Sequence, residues 1–145
     1  MRILAILGVI VTFPSTASAY KDESVAEIIA RAQAAPAGEQ PALYIKAAQR
    51  QLKTANQLYD EGKVDEARAA VEELVAYSDK ATEASSRSRK RLKNTEIEIR
   101  KMAEKLRHLK RTLNFDDQAP VQAAADRLEE MRTKLLSLMF SKEKK

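Results

Sequence analysis

A heptad pattern of apolar and small residues runs from Val64 to Leu113 and constrains the fold more than any other feature of the chain. Its steps alternate between three and four residues for seven heptads, which is the a/d seam of a coiled coil. The seam positions are Val64, Ala67, Val71, Leu74, Ser78, Ala81, Ser85, Ser88, Leu92, Thr95, Ile99, Met102, Leu106, Leu109 and Leu113. Because no proline or glycine interrupts them, the pattern predicts one continuous helix of roughly 75 Å at ~1.5 Å per residue.

The middle of this seam is polar. Ser78, Ser85, Ser88 and Thr95 occupy seam positions there, and small polar residues bury little apolar surface. The helix is therefore either continuous and thinly covered between residues 78 and 90, or bent there, since serine hydroxyls bond back to the helix backbone. The unbroken heptad pattern favours the continuous helix.

Shorter helices precede the long one. Ser24 and Glu27 have the spacing of a capping box and predict the start of a short helix within residues 20–40, which also include a linker. A second helix is predicted from about Pro41 to Glu61 and ends at Gly62, a residue suited to the left-handed terminator position. Its very short connection to Val64 predicts an antiparallel hairpin.

A last helix follows a break at residues 114–120, where Asp116 or Asp117 is expected to cap it and Pro120 to lie near its first turn. Its apolar stripe reaches Phe140 and should pair with residues 92–113. The predicted fold is all-α: an elongated, coiled-coil-like bundle over residues 41–141, with one long central helix and an antiparallel helix folded onto each end. Residues 142–145 are expected to fray.

The hairpin between the second and third helices carries small and apolar residues at characteristic spacing. These residues are Ala55, Leu58, Gly62, Ala67 and Val71. Over about thirty residues this string resembles one unit of a tetratricopeptide repeat, and the resemblance implies a helical hairpin that packs against neighbouring units. The chain departs from that family at Leu74 and Asp79, and it contains no second copy. A generic helical hairpin remains the alternative.

The first nineteen residues have the composition of a cleavable signal peptide. A positive start is followed by an apolar run from Ile3 to Phe13 and by small residues that include Ala17 and Ala19. The alternative is an uncleaved anchor, but about eleven apolar residues are few for a bilayer core of ~30 Å. The sequence predicts an exported, periplasmic or secreted protein with no membrane span after cleavage. With nineteen of 145 residues removed, 126 remain, enough for one domain.

Charge is unevenly distributed along the chain. Residues 87–111 hold eleven Lys or Arg against three Glu, whereas residues 20–86 hold eight against twelve Asp or Glu. In the heptad frame, a basic stripe about 30 Å long is predicted on the outer face of the helix. Its members are Arg87, Lys93, Arg100, Lys101, Arg107 and His108. The stripe is either a docking surface for an anionic component of the cell envelope, or a solvated face with local pairs such as Glu83–Arg87 and Glu96–Arg100.

Catalysis has no support in the sequence. The chain has no cysteine, one histidine, no glycine-rich phosphate loop and no spaced set of metal ligands, so we predict neither an enzyme nor a bound cofactor.

Ile97 lies among the outward charges and suggests a second contact face. We therefore expect a structural or protein-interaction module that binds a protein partner or itself. The alternatives are a periplasmic chaperone or stress-type binder, and a peripheral binder of anionic lipid or polysaccharide. Nucleic acid is the least favoured anion, since no aromatic residues interleave with the stripe.

Overall fold

The computed structural model describes residues 23–141, which form five helices and, within that range, no strand. They are α1 (Val25–Ala34), α2 (Gln40–Asp60), α3 (Val64–Ser88), α4 (Leu92–Thr112) and α5 (Phe115–Phe140). The all-α prediction is confirmed. The predicted signal peptide and the predicted frayed tail lie outside the described residues. None of the five helices is long and apolar enough to cross a membrane.

Local signals correctly predicted two of the helix ends. The Ser24 hydroxyl accepts from the Glu27 backbone N–H at 3.2 Å, and the Glu27 carboxylate accepts from the Ser24 backbone N–H at 3.3 Å. This reciprocal capping box satisfies donors that the first turn of α1 would otherwise leave unpaired. Gly62 follows α2 with a φ of 74°, the left-handed conformation that glycine adopts without steric cost.

The start of α5 differs from the prediction. The helix begins at Phe115, with Asn114 at the cap position, so Asp116 and Asp117 lie inside the first turn instead of capping it. Both carboxylates still lie at the positive end of the helix dipole, where they are favourable. Pro120 lies one turn further in than expected, inside the helix, where its missing N–H removes one backbone hydrogen bond.

The predicted continuous helix is wrong. It is divided into α3 and α4 by Arg89, Lys90 and Arg91, and both arginines have left-handed backbones with φ of 57° and 58°. The hydroxyls of Ser86 and Ser88 donate to carbonyls one turn back, each at 2.7 Å, and the Ser88 hydroxyl also accepts from the Lys90 N–H at 3.3 Å. Through these hydrogen bonds, the serine hydroxyls pair with backbone groups at the end of α3. Such bonds are the reason given above for a possible bend in this segment.

Because of this turn, α2 to α5 form a four-helix bundle instead of an elongated rod. Antiparallel pairing of α2 with α3 is marked by Lys80 over the Tyr44 ring, 5.8 Å from its centroid, and by a hydrogen bond from Gln51 to Glu73. The antiparallel pair of α4 and α5 is marked by the bond from Arg132 to Glu96 at 2.7 Å. The predicted partner of each half is therefore correct.

The two hairpins then pack side by side. Arg68 meets Asp117 at 3.3 Å and Asp79 meets Arg127 at 3.4 Å, so α3 and α5 are parallel neighbours. On the other side α2 and α4 are parallel neighbours, and Gln49 donates to Glu98 at 2.7 Å. The short helix α1 packs on the outside of α2.

The seam residues face one shared core. All of them are buried except Val64, Ser88 and Leu113, which are partly exposed. The buried face of α3 is wider than the seam, because Ala70, Thr82 and Ala84 are also buried. A single stripe packed against one partner would leave those residues in water. Folding the hairpins together covers them, and the gain in buried apolar surface favours the bundle over the rod.

The turn residues give a test of this chain reversal. We expect Arg89→Gly to raise the free energy of unfolding by about 1 kcal/mol. The left-handed conformation strains a non-glycine residue by roughly 1–2 kcal/mol, and glycine removes most of that strain. Arg91→Gly should raise the free energy of unfolding by less, because it also removes the hydrogen bond from the Arg91 Nε to the Gly38 carbonyl at 3.1 Å. Urea unfolding followed by circular dichroism measures both. The control is Arg87→Gly, in the last turn of α3, which should destabilise by up to ~1 kcal/mol. Destabilisation by Arg89→Gly as large as that of the control would contradict the left-handed turn.

Candidate functional site

The six residues of the predicted basic stripe do not form one surface. Arg87 lies in the last turn of α3 and Lys93 in the first turn of α4, on either side of the turn. Arg100 and Arg107 lie on the side of α4 that meets α5. Lys101 and His108 instead line the space between α4 and α2. The stripe prediction assumed one straight helix exposed along a single face, and the bundle distributes its members over three surroundings.

The arginines on the α5 side are neutralised by carboxylates. Arg107 donates to Glu129 at 2.6 Å, and Arg100 lies 3.8 Å from Glu96. Glu96 is buried and also accepts from Arg132 at 2.7 Å, which in turn lies 3.4 Å from Glu129. The Arg107 guanidinium, assisted by Arg132, holds the pKa of Glu129 below its usual value against the opposing effect of burial. This network joins α4 to α5 and offers little net charge to a ligand.

The space between α2 and α4 is an open groove, here called the α2–α4 groove. One cavity of about 470 Å³ lies between Ala42 and Gln49 of α2 and the first two turns of α4. A second, of about 860 Å³, continues from Gln49 to Asn56 of α2 and along α4 to Thr112. Together they run roughly 30 Å along α4 at ~1.5 Å per residue. That length corresponds to an α-helix of about twenty residues.

The groove combines an apolar floor with a mostly basic rim. Ile45, Leu52 and Leu109 form the floor, and the half-buried Ile97 lies at one edge. The ionisable rim residues are Arg91, Lys53, Lys101, Lys105 and His108 against Glu98 and Glu104.

Two of the rim lysines have no internal counter-charge. Glu98 is occupied by Gln49 and by Lys101 at 3.1 Å, whereas within residues 23–141 no carboxylate pairs with Lys53 or Lys105. The rim therefore presents uncompensated positive charge to whatever lies in the groove.

Comparison with models of known protein families, with curated proteins and with solved structures returns no match for this chain. The tetratricopeptide-like hairpin therefore stays a prediction.

A second basic surface surrounds the turn between α3 and α4. Five cationic side chains occur within seven residues here, all exposed, and we name them the basic end: Arg87, Arg89, Lys90, Arg91 and Lys93. Among the residues the structure describes, none of the five forms an ion pair, and the expected Glu83–Arg87 pair is not formed. The stripe prediction included Arg87 and Lys93 but missed the three between them, although the local density of basic residues was visible in the sequence.

Within the described part of the chain, few side chains are placed for metal binding or acid–base chemistry. Within residues 23–141 no three side chains of His, Asp or Glu lie close enough together to hold a metal ion. His108 is exposed, and its Nδ1 lies 3.1 Å from the Arg111 guanidinium. Because the Arg111 guanidinium only donates, Nδ1 is the acceptor in this contact.

Proposed function

We propose that this protein is a non-catalytic interaction module of the cell envelope, and that its partner is a polypeptide helix with an acidic face that lies in the α2–α4 groove. The observation that carries the proposal is the groove itself, an open channel between two parallel helices with an apolar floor and uncompensated lysines on its rim. Export is supported by the sequence of the first nineteen residues.

The dimensions of the groove favour a helix as its occupant. A helix with side chains is about 10 Å wide and packs 8–10 Å from its neighbours. A partner helix that lies over α2 and α4 would therefore extend the bundle by one helix. Apolar residues spaced by three and four would meet Ile45, Leu52 and Leu109. Recognition of an amphipathic helix by an apolar groove is a recurring mode of peptide binding.

The charge of the rim favours an acidic partner. Lys53 on α2 and Lys105 on α4 lie on opposite walls of the same cavity, so a helix between them can present carboxylates to both. Such exposed charges add roughly 0.2–1 kcal/mol each to affinity and contribute more to partner selection and association rate. The lysines repel a partner with a basic face, so the rim also contributes to selectivity.

The chain has no cysteine, which makes a site-specific cross-linking test direct. A photo-reactive label at Asn56→Cys, exposed in the groove, should capture an envelope polypeptide through an acidic segment that mass spectrometry can locate. The same label at Ala123→Cys, exposed on α5, is the matched control and should not capture that polypeptide. Adding Lys53→Glu and Lys105→Glu to the Asn56→Cys chain should lower the yield about tenfold.

Three outcomes would contradict the proposal. Equal capture from Asn56 and Ala123 would mean that the groove has no special role. Capture of a segment without acidic residues, unaffected by the two lysine reversals, would remove the charge argument. Capture of this chain alone would show that a second copy, and not a different envelope protein, occupies the groove.

A further inference from the structure

The end of the bundle that carries the α3–α4 turn combines charge with exposed apolar surface. Phe140, the last residue of α5, is 67% exposed, one of two large exposed apolar side chains within residues 23–141. The preceding residues Leu138 and Met139 are only partly buried. Leu138 and Met139 pack partly against the core, whereas nothing in the described chain covers Phe140, which would gain from leaving water.

Two cross-helix contacts place Phe140 level with the basic end. Arg132 of α5 bonds Glu96 of α4, and α5 continues eight residues beyond Arg132 whereas α4 starts four residues before Glu96. At ~1.5 Å per residue, Phe140 therefore lies roughly 6 Å beyond the start of α4. The Asp79–Arg127 contact with the parallel helix α3 gives the same offset from the end of α3.

The turn itself is held in place. The Arg91 Nε donates to the Gly38 carbonyl at 3.1 Å, and the Lys90 side chain lies against Gly38. The loop between α1 and α2 therefore supports the turn from one side. The positions of the five cations relative to Phe140 are set by the fold, so they form a surface and not only a cluster in the sequence.

From this arrangement we propose that the basic end and the Phe140 tip form a docking surface for an anionic lipid bilayer. Several cations at one end of a molecule can contact many headgroups at once, and each Lys or Arg near an anionic surface raises binding roughly fivefold. An aromatic side chain among them enters the boundary between headgroups and acyl chains, where amphipathic surfaces gain apolar burial. The cations favour anionic over neutral lipid, and the Phe140 side chain anchors the protein at the bilayer surface.

The opposite end of the bundle provides an internal comparison. It carries the other exposed aromatic residue, Phe115, which is 86% exposed. There the exposed acidic residues Asp60, Glu61, Asp65, Glu66 and Asp116 outnumber the exposed cations Lys63 and Arg111. An anionic membrane surface would repel that end. The two exposed phenylalanines therefore share their chemistry and differ in the charge around them.

The test uses the absence of tryptophan from the chain. Phe140→Trp provides a single tryptophan, excited selectively over the tyrosines, at the proposed contact, and Phe115→Trp provides the matched control at the other end. Vesicles of phosphatidylglycerol and phosphatidylcholine in equal parts should shift the emission of the Phe140→Trp chain to shorter wavelength, and brominated acyl chains should quench it. The emission of the Phe115→Trp chain should change little. Both chains share residues 1–22, so any lipid affinity of that segment is common to them.

Charge dependence is tested by reversal at matched sites in the Phe140→Trp chain. Arg87→Glu with Lys93→Glu should weaken its response by on the order of thirtyfold in lipid concentration, from two lost cations alone. Lys63→Glu with Arg111→Glu changes the net charge equally at the opposite end and should leave the response nearly unchanged. Raising the ionic strength from ~0.01 M to ~1 M shortens the screening length from about 30 Å to about 3 Å and should abolish the response.

Four results would overturn the proposal. They are an unchanged emission of the Phe140→Trp chain, equal responses of the two reporter chains, equal responses to neutral and anionic vesicles, and a shift of the Phe140→Trp emission without lipid that grows with protein concentration. The last would show that a second copy of the chain covers this end. The surface shares only Arg91 with the rim of the α2–α4 groove, and none of the substitutions in either test changes Arg91. The outcome is therefore independent of the proposed function, and Asn56 cross-linking can succeed whether or not vesicles bind.

Discussion

Truncating Leu106 to alanine is expected to lower the free energy of unfolding by about 2–5 kcal/mol and to destabilise all of α2 to α5 together. Leu106 is fully buried in α4 and belongs to one contiguous core that includes residues of α2, α3 and α5. Removing three carbon atoms there costs their transfer free energy and leaves a cavity that rigid neighbours fill only partly. The loss should therefore reach helices that α4 does not adjoin in sequence.

The distribution of tyrosines makes this measurable. Tyr44, Tyr59 and Tyr77 lie in α2 and α3, and neither α4 nor α5 contains a tyrosine. The fourth tyrosine, Tyr20, lies outside the described residues, so the measurement uses a Tyr20→Phe chain. Its tyrosine fluorescence reports the first hairpin, whereas circular dichroism reports every helix. In the Leu106→Ala chain both signals should shift to lower urea in one coincident transition. Leu136→Ala, on the half-exposed side of α5, is the control and should cost under ~1 kcal/mol. If tyrosine fluorescence kept its original midpoint, the two hairpins would be independent and the shared core would be refuted.

Two buried serines of α3 should respond to the same substitution with opposite signs. Ser78→Ala is expected to raise the free energy of unfolding by about 1–2 kcal/mol, whereas Ser85→Ala should lower it by about 1–3 kcal/mol. Both residues are 0% exposed. The Ser78 hydroxyl is buried without a hydrogen-bond partner, so alanine removes a desolvated polar group. The Ser85 hydroxyl bonds the Thr95 hydroxyl of α4 at 2.7 Å, and alanine would leave the latter buried and unpaired.

Urea unfolding of the two variants gives the difference directly, and Thr95 provides the cross-check. In a double-mutant cycle, Thr95→Val should rescue much of the loss caused by Ser85→Ala, because both polar partners are then absent. The same Thr95→Val should not alter the effect of Ser78→Ala. Equal destabilisation by both serine substitutions would show that cavity formation, and not hydrogen bonding, decides the energetics of this part of the core.

The predicted functional residues were only partly informative. The sequence correctly identified residues 87–111 as the basic part of the molecule, because charge density is a local property. Assigning those charges to one stripe failed. Arg100 lies 3.8 Å from Glu96 within α4, the local pair offered as the alternative, whereas Arg107 pairs with Glu129 across helices. Such pairings depend on which helices become neighbours. Lys53 illustrates the same point, because it joins the groove from α2, about fifty positions away from its opposite wall.

The sequence also contained signals that only the fold made interpretable. Ile97 stood out as an apolar residue at an outward position, and it lies at the edge of the α2–α4 groove. The polar middle of the seam, with Ser85, Ser86 and Ser88, allowed both a thin helix and a bend. Once α3 and α4 separate, Ser86 and Ser88 bond the end of α3, and Ser85 joins it to α4.

The sequence by itself determined the helices and their inward faces, because hydrogen bonding within a helix, its caps and the spacing of apolar residues act over a few positions. It also correctly paired α2 with α3 and α5 with α4. Only the tertiary structure decided that the third and fourth helices separate at Arg89–Arg91 and fold back. A heptad pattern states which face must leave water but not how many neighbours cover it. Joining the two hairpins buries surface that a straight rod would expose, and that gain outweighs two left-handed arginines at the turn.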